Sequence, residues 1–146
     1  MNFQPESHAI KWKVHFASPQ EKVFEALATD AGRASFWAES APEENGQITF
    51  HFVDHAPVSG RVLDKTPPRS FAVEYFGSIV AFSLEADASG GTDLTLVSTR
   101  VPEDSRVEVI SGWVSVLMAM KAAVDHGVDL RNHDPSRSWS NGYADN

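Results

Sequence analysis

Between Gln47 and about Arg100 the apolar residues of this chain fall on alternate positions. From Val109 onward they fall three and four apart, at Val109, Trp113, Val116, Leu117, Met120 and Val124. Alternation marks a strand with one buried face, and three-four spacing marks an amphipathic helix. The change of period therefore predicts a run of strands closed by one long helix. "QITFHFV" points Ile48, Phe50 and Phe52 one way. "FAVEYFG" does the same with Phe71, Val73 and Tyr75, and "IVAFSLEA" with Val80, Phe82 and Leu84. "VSGRVLD" and "LTLVSTRV" complete the run. "EENG", the "HAP" segment, "TPPRS" and "DASGGTD" read as the turns between them. Connections this short join antiparallel neighbours.

Ahead of that run, "IKWKVHF" alternates Ile10, Trp12, Val14 and Phe16 with polar residues and reads as a first strand. In "SPQEKVFEALATD", Ser18 is placed to cap a short helix, with Pro19 at its first position and Glu21 closing a capping box. "AGRASFWAES" predicts a second short helix ending near Trp37. Pro102, Glu103 and Asp104 suit the start of the long helix, and Gly127 its end. Residues 131–146 are polar apart from Trp139 and Tyr143, which makes them a loose tail or a docked strap. Only the long helix is large enough to cover the apolar face of the strands. The expected fold is α+β: a curved six-stranded antiparallel sheet gripping a long C-terminal helix, with two short helices after the first strand. One domain spans residues 1–146, its core about 8–130.

At 146 residues, 42% hydrophobic and 22% charged, the chain has the size and composition of one globular domain. Twelve Lys and Arg against twenty Asp and Glu give a net charge of −8, which repels phosphate backbones and argues against nucleic acid as a partner. With no cysteine there is no disulfide, thiolate nucleophile or Cys-based zinc site. "MNFQPESHAI" has neither the basic nor the apolar region of a signal peptide. No apolar run approaches the roughly 20 residues of a membrane span. These features together give a cytoplasmic protein as the expectation.

The quoted segments also carry a resemblance. "SPQEKVFEALATDAGRASFW", "GRVLDKTPPRSFAVEYFG", "VAFSLEADASGGTDLTLVSTRVPE" and "SGWVSVLMAMKAAV", in this order, resemble the START-like (SRPBCC, helix-grip) superfamily. The branch is similar to homologues of the C-terminal domain of the activator of the heat-shock protein 90 ATPase. The resemblance covers about residues 8–130. It departs in having Phe36 and Trp37 where paired tryptophans are common, and in the tail after Arg131. It implies a cavity between sheet and long helix, used in different members for lipids, sterols or polyketides, for cyclase or dehydratase chemistry, or for chaperone association. Fold alone does not choose among these.

On that reading the ligand-binding candidates are Trp37, Phe50, Phe52, Tyr75, Phe82, Arg100, Trp113, Leu117 and Met120. The stripe Trp113, Leu117, Met120 is read two ways, as plain core and as cavity wall. Tyr75 brings a hydroxyl onto the apolar parity, and Arg100 a guanidinium able to grip a carboxylate or close a rim salt bridge. Glu74 and Glu85 read as solvent-facing. No catalytic residue is assigned. No metal is assigned either: His51 and His55 share a strand face with Asp54 nearby, but successive ligands there stand about 6–7 Å apart. No cofactor fingerprint is present. The expected function is binding of a small hydrophobic or amphipathic ligand. A chaperone-associated module and a cyclase or dehydratase are the alternatives. Edge strands and the tail leave room for a homodimer.

Overall fold

The computed structural model describes residues 3–5 and 8–146. Strand β1 (Ala9–Phe16) leads into helices α1 (Gln20–Ala28) and α2 (Asp30–Ala34). Strands β2 (Glu43–Glu44), β3 (Gln47–Phe52), β4 (His55–Thr66), β5 (Ser70–Tyr75), β6 (Ser78–Ala86) and β7 (Thr92–Thr99) follow, and then helix α3 (Arg106–His126). The strands form one sheet in the order β1-β7-β6-β5-β4-β3-β2, with every pairing antiparallel. This is the expected helix-grip architecture with one strand more. The addition is the two-residue β2, which occupies the first half of the "EENG" segment expected as a turn. The "HAP" segment is also strand rather than loop: β4 begins at His55 and runs twelve residues.

Alternation places the core directly. Register aligns Phe71, Phe82, Leu96 and Trp12 in one row across the sheet, and Val73, Val80, Ser98 and Ile10 in the next. All point to the face that α3 covers with Trp113, Leu117, Met120 and Val124, which are buried. By length and composition alone the helical stretch Glu103–His126 is long and apolar enough to cross a bilayer, a test that the core helix of a globular domain also passes. Here it lies on the sheet and is tied to β1 and its exit. Arg106 donates to the carbonyls of Ala9 and Pro5, and Trp12 Nε1 donates to the Ile110 carbonyl at 3.0 Å. At the far end Asp125 accepts from the Ala17 and Ser18 amides and from the Ser18 hydroxyl at 2.8 Å. Ser18 therefore does not cap α1, because its hydroxyl is already used on the long helix. Gly127, at φ 64, ends α3 as expected.

Residues 131–146 are a docked strap. Arg131 donates to the carbonyls of Ala38 at 2.8 Å and Ala34 at 2.7 Å. Trp139 Nε1 meets Glu108 at 3.0 Å beside Gly112, and Ser115 donates to the Ala144 carbonyl. His133 closes the start of the strap. One ring nitrogen faces Glu39 at 2.6 Å and the other Asp129 at 2.7 Å. The bonds from Glu39 and then Asp129 raise the His133 pKa. Burial works against the charge on Asp129, but Arg131 and His133 outweigh it and hold that carboxyl far below its usual range.

The signs define a pH window. The His133 contribution is full below its unfolded value, about 6.5, and is lost as pH rises through the higher folded value. The Asp129 contribution is full above about 3.9 and is lost as pH falls toward its depressed folded value. The clasp is thus tightest between those unfolded values. Hydrogen-exchange protection relative to the intrinsic rate across Arg131–Tyr143 is expected to be higher at pH 6 than at pH 8.5, and His133→Gln to remove the difference. Equal protection at both pH values in the native chain refutes the clasp.

Candidate functional site

Trp37 is the centre of the interior at one end of the sheet. Its ring lies 4.8 Å from Phe50, 5.4 Å from Tyr75, 5.7 Å from Phe82 and 5.8 Å from Trp113, centroid to centroid. These are ordinary separations for attractive tilted and edge-to-face pairs. β3, β5 and β6 contribute Phe50, Tyr75 and Phe82 by alternation, and α3 contributes Trp113. Trp37 itself sits beyond α2, outside any regular element. Its amide donates to the Arg33 carbonyl at 2.8 Å. Arg33 is fully buried. Its guanidinium donates to the carbonyls of Ala41 and Leu27, both at 2.9 Å, and to Asp30 at 2.7 Å. One side chain thus ties the segment carrying Trp37 to both short helices.

One polar atom at this centre is incompletely served. Trp37 is 4% exposed and its Nε1 has no hydrogen-bond partner. The indole is directed toward the Tyr75 hydroxyl without closing a bond, and burial pushes the Tyr75 pKa up well beyond its ordinary value. By contrast, the indole nitrogens of Trp12 and Trp139 both have partners at 3.0 Å. Ser98, on the inner face of β7, also has a buried hydroxyl with no partner. Buried donors without acceptors are uncommon and unfavourable, by about 1–3 kcal/mol each.

From this centre the rings continue to the surface. Phe52 lies 6.4 Å from Tyr75, and Phe76 lies 4.8 Å from Tyr75 and 5.7 Å from Phe52. His55 stands edge-on to both Phe52 and Phe76. Phe76 is 50% exposed at the tip of the β5–β6 hairpin. That hairpin turns through Phe76 at φ 50 and Gly77 at φ 76. The β2–β3 hairpin makes the same turn through Asn45 at φ 53 and Gly46 at φ 76. Such two-residue turns favour Asn-Gly, because both central residues take left-handed backbone. A bulky side chain at the first position is disfavoured by about 1–2 kcal/mol.

The structure therefore brings together Trp37, Phe50, Phe52, Tyr75, Phe82 and Trp113, with Leu117 and Met120 buried further along α3. Their rings fill the space expected as a hollow. Two surface concavities, of about 490 and 260 Å³, lie elsewhere and are lined by none of these rings. Arg100 belongs to the former, a groove with His8, Thr99, Val101 and Pro102. The inward parity of Leu94, Leu96 and Ser98 would have aimed Arg100 at the core, but its backbone turns to φ 60 and the side chain is exposed. Glu74 and Glu85 are exposed as expected. Among the described residues the one three-member group spaced for a metal is His15, Asp87 and Asp93, not His51 and His55. The imidazole already faces Asp93 at 3.0 Å and Asp87 at 3.5 Å, so its nitrogens are engaged. Sequence reading missed Phe76 and Arg33. Phe-Gly between two alternating segments was the available signal for Phe76; Arg33 had none.

The chain has the fold of several solved structures. Protein SSP2350 from Staphylococcus saprophyticus superposes with a TM-score of 0.73 at 24% identity, over 84% of this chain and 96% of that one. The Aha1 dimer from Colwellia psychrerythraea gives 0.72 at 20% identity, over 82% and 97%. DynU16, a protein in the dynemicin biosynthetic locus, gives 0.73 at 19% identity, over 84% of this chain and 49% of that one. At these identities the likeness shows a shared fold. No curated protein matches the sequence. The family described as Activator of Hsp90 ATPase homolog 1-like protein matches residues 17–125, from the exit of β1 to the last turn of α3. That span contains the whole aromatic centre and most of the sheet and helix that hold it, and the chain belongs to this family.

Proposed function

We propose that the protein binds a small apolar ligand through its aromatic mouth, with Phe76 and Phe52 yielding to admit it between the sheet and α3. The observation that carries this reading is the unbroken line of rings from half-exposed Phe76 through Tyr75 to buried Trp37. Its outer member is held in a backbone conformation that a turn residue would occupy more favourably. Rings packed only on one another can repack around a planar guest while keeping much of their contact energy. Tyr75 is the one titratable side chain among Trp37, Phe50, Phe52, Tyr75, Phe82 and Trp113, and burial keeps it protonated. That favours binding over acid–base chemistry. The placement of DynU16 in a biosynthetic locus supports a small-molecule role in the same fold. The chaperone-associated reading rests on family membership.

The neutral fluorophore N-phenyl-1-naphthylamine tests the mouth. The native protein is expected to bind it saturably, and Phe76→Ala and Phe76→Asn to weaken it several-fold alike. Both variants delete the ring, so their stability difference isolates the turn. Phe76→Asn is expected to be more stable than Phe76→Ala by about 1 kcal/mol in urea denaturation. Binding that neither saturates nor responds to Phe76 defeats the proposal.

Self-association is a second reading, favoured by the outer stripe of α3. There Val107 is 78% exposed, with Val114 and Met118 exposed about two and three turns further on. Sedimentation velocity showing a single monomeric species at tens of micromolar removes it.

A further inference from the structure

Building on the ligand-binding reading, we propose that the ligand is a neutral ring-containing molecule bearing a carbonyl-type oxygen, and that this oxygen is the missing partner of Trp37 Nε1–H. An indole nitrogen donates and never accepts, so whatever completes it must bring a lone pair. The rings around it supply one oxygen, the Tyr75 hydroxyl, which approaches without closing a bond. A carbonyl oxygen has two lone pairs. It accepts from the Trp37 N–H and the Tyr75 O–H together, satisfying both with a single ligand atom. Tyr75 is suited to this second role because its burial holds the proton in place.

Charge selects against an acid. Among the described residues the centre holds no Lys or Arg side chain. Arg33 is committed to Ala41, Leu27 and Asp30, and Arg100 is exposed in a groove that none of the rings lines. A carboxylate there would be buried without a counter-ion, which is strongly unfavourable. A pure hydrocarbon would fit the rings and leave the N–H orphaned. A neutral acceptor is the chemistry that improves on the empty state.

Three probes of one shape separate these cases: 2-acetylnaphthalene, 2-ethylnaphthalene and 2-naphthoate. Calorimetric or fluorescence titration of the native protein is expected to show the ketone binding about tenfold tighter than its ethyl isostere, with the naphthoate weakest. Trp37→Phe should bring the ketone-to-ethyl ratio close to one, and Tyr75→Phe should reduce it in part. Should Trp37→Phe fold poorly, nitrogen-15 spectra of the native protein carry the test. One indole N–H signal is expected to move downfield with the ketone and not with the ethyl compound. Equal affinity for ketone and ethyl probes overturns the acceptor assignment and leaves the ligand-binding reading intact. Saturable binding of none of the three overturns both. A Trp37 indole proton already in the hydrogen-bonded range without ligand also overturns the assignment, since the donor would then have a partner.

Discussion

Gly60→Ala is expected to destabilise the protein by at least about 3 kcal/mol, lowering its melting temperature by on the order of 10 °C. A Cβ built on Gly60 stands 1.7 Å from the Glu74 carbonyl oxygen and 2.7 Å from the carbonyl carbon. Both are backbone atoms, so no rotamer change relieves the overlap, and β4 and β5 must part. Gly60 pairs with Ile48 of β3 while lying against β5, where β4 bends most closely over its neighbour. Close backbone approach is a recurrent reason for glycine inside a strand. Of the strands that would separate, β5 carries Tyr75 and β4 pairs with the β3 strand that carries Phe50, so probe binding at the mouth should fall with stability. Gly90→Ala is the control. It meets nothing within 4 Å but takes φ 88, and should cost only about 1 kcal/mol. Thermal and urea denaturation of the two variants decides the matter, and equal losses would count against the strand clash.

Arg33→Met is expected to cost about 3–5 kcal/mol, the range seen when one member of a buried charged network is removed. Methionine fills similar length but donates nothing. The Leu27 and Ala41 carbonyls lose their partners, as does the Arg33-facing oxygen of Asp30, which also accepts from the Glu43 amide at 3.0 Å. Burial lowers the Arg33 pKa while Asp30 and Glu43 raise it, and the side chain remains a cation with its charge answered locally. Because the same clamp holds the segment bearing Trp37, the variant should also broaden or shift the Trp37 indole signal. Arg33→Lys should recover only part of the loss, since an ammonium cannot reproduce the planar fork. A stability within 1 kcal/mol of native for Arg33→Met would show that the clamp does not hold the segment.

These two positions also show how far the residues alone could be read. Period two from Gln47 to Arg100 and period three-four from Val109 to Val124 define strands and a long helix because each side chain's face follows from its own place in the chain. The Pro-rich turn, the Asn-Gly-type signals and the terminal Gly127 are legible for the same reason: backbone preferences act over two to four residues. Gly60 lies within "VSGRVLD" and Arg33 within "AGRASFWAES", and the pattern of neither segment marks it out. Nothing within four residues of either names the Glu74 carbonyl or the buried carbonyls that give them their roles.

The sequence by itself therefore determined the α+β class, the order of its elements and the inward face of nearly every strand, since alternation and helical spacing are local properties of a chain. The tertiary structure decided the rest. It filled the expected hollow with rings and drew Ser18 onto Asp125. It turned Arg100 outward through φ 60, sealed Arg33 among carbonyls and left the Trp37 N–H without an acceptor. Each of these depends on groups distant in sequence meeting in space. Whether a polar group finds its partner is settled only when the sheet has curved and α3 has closed over it.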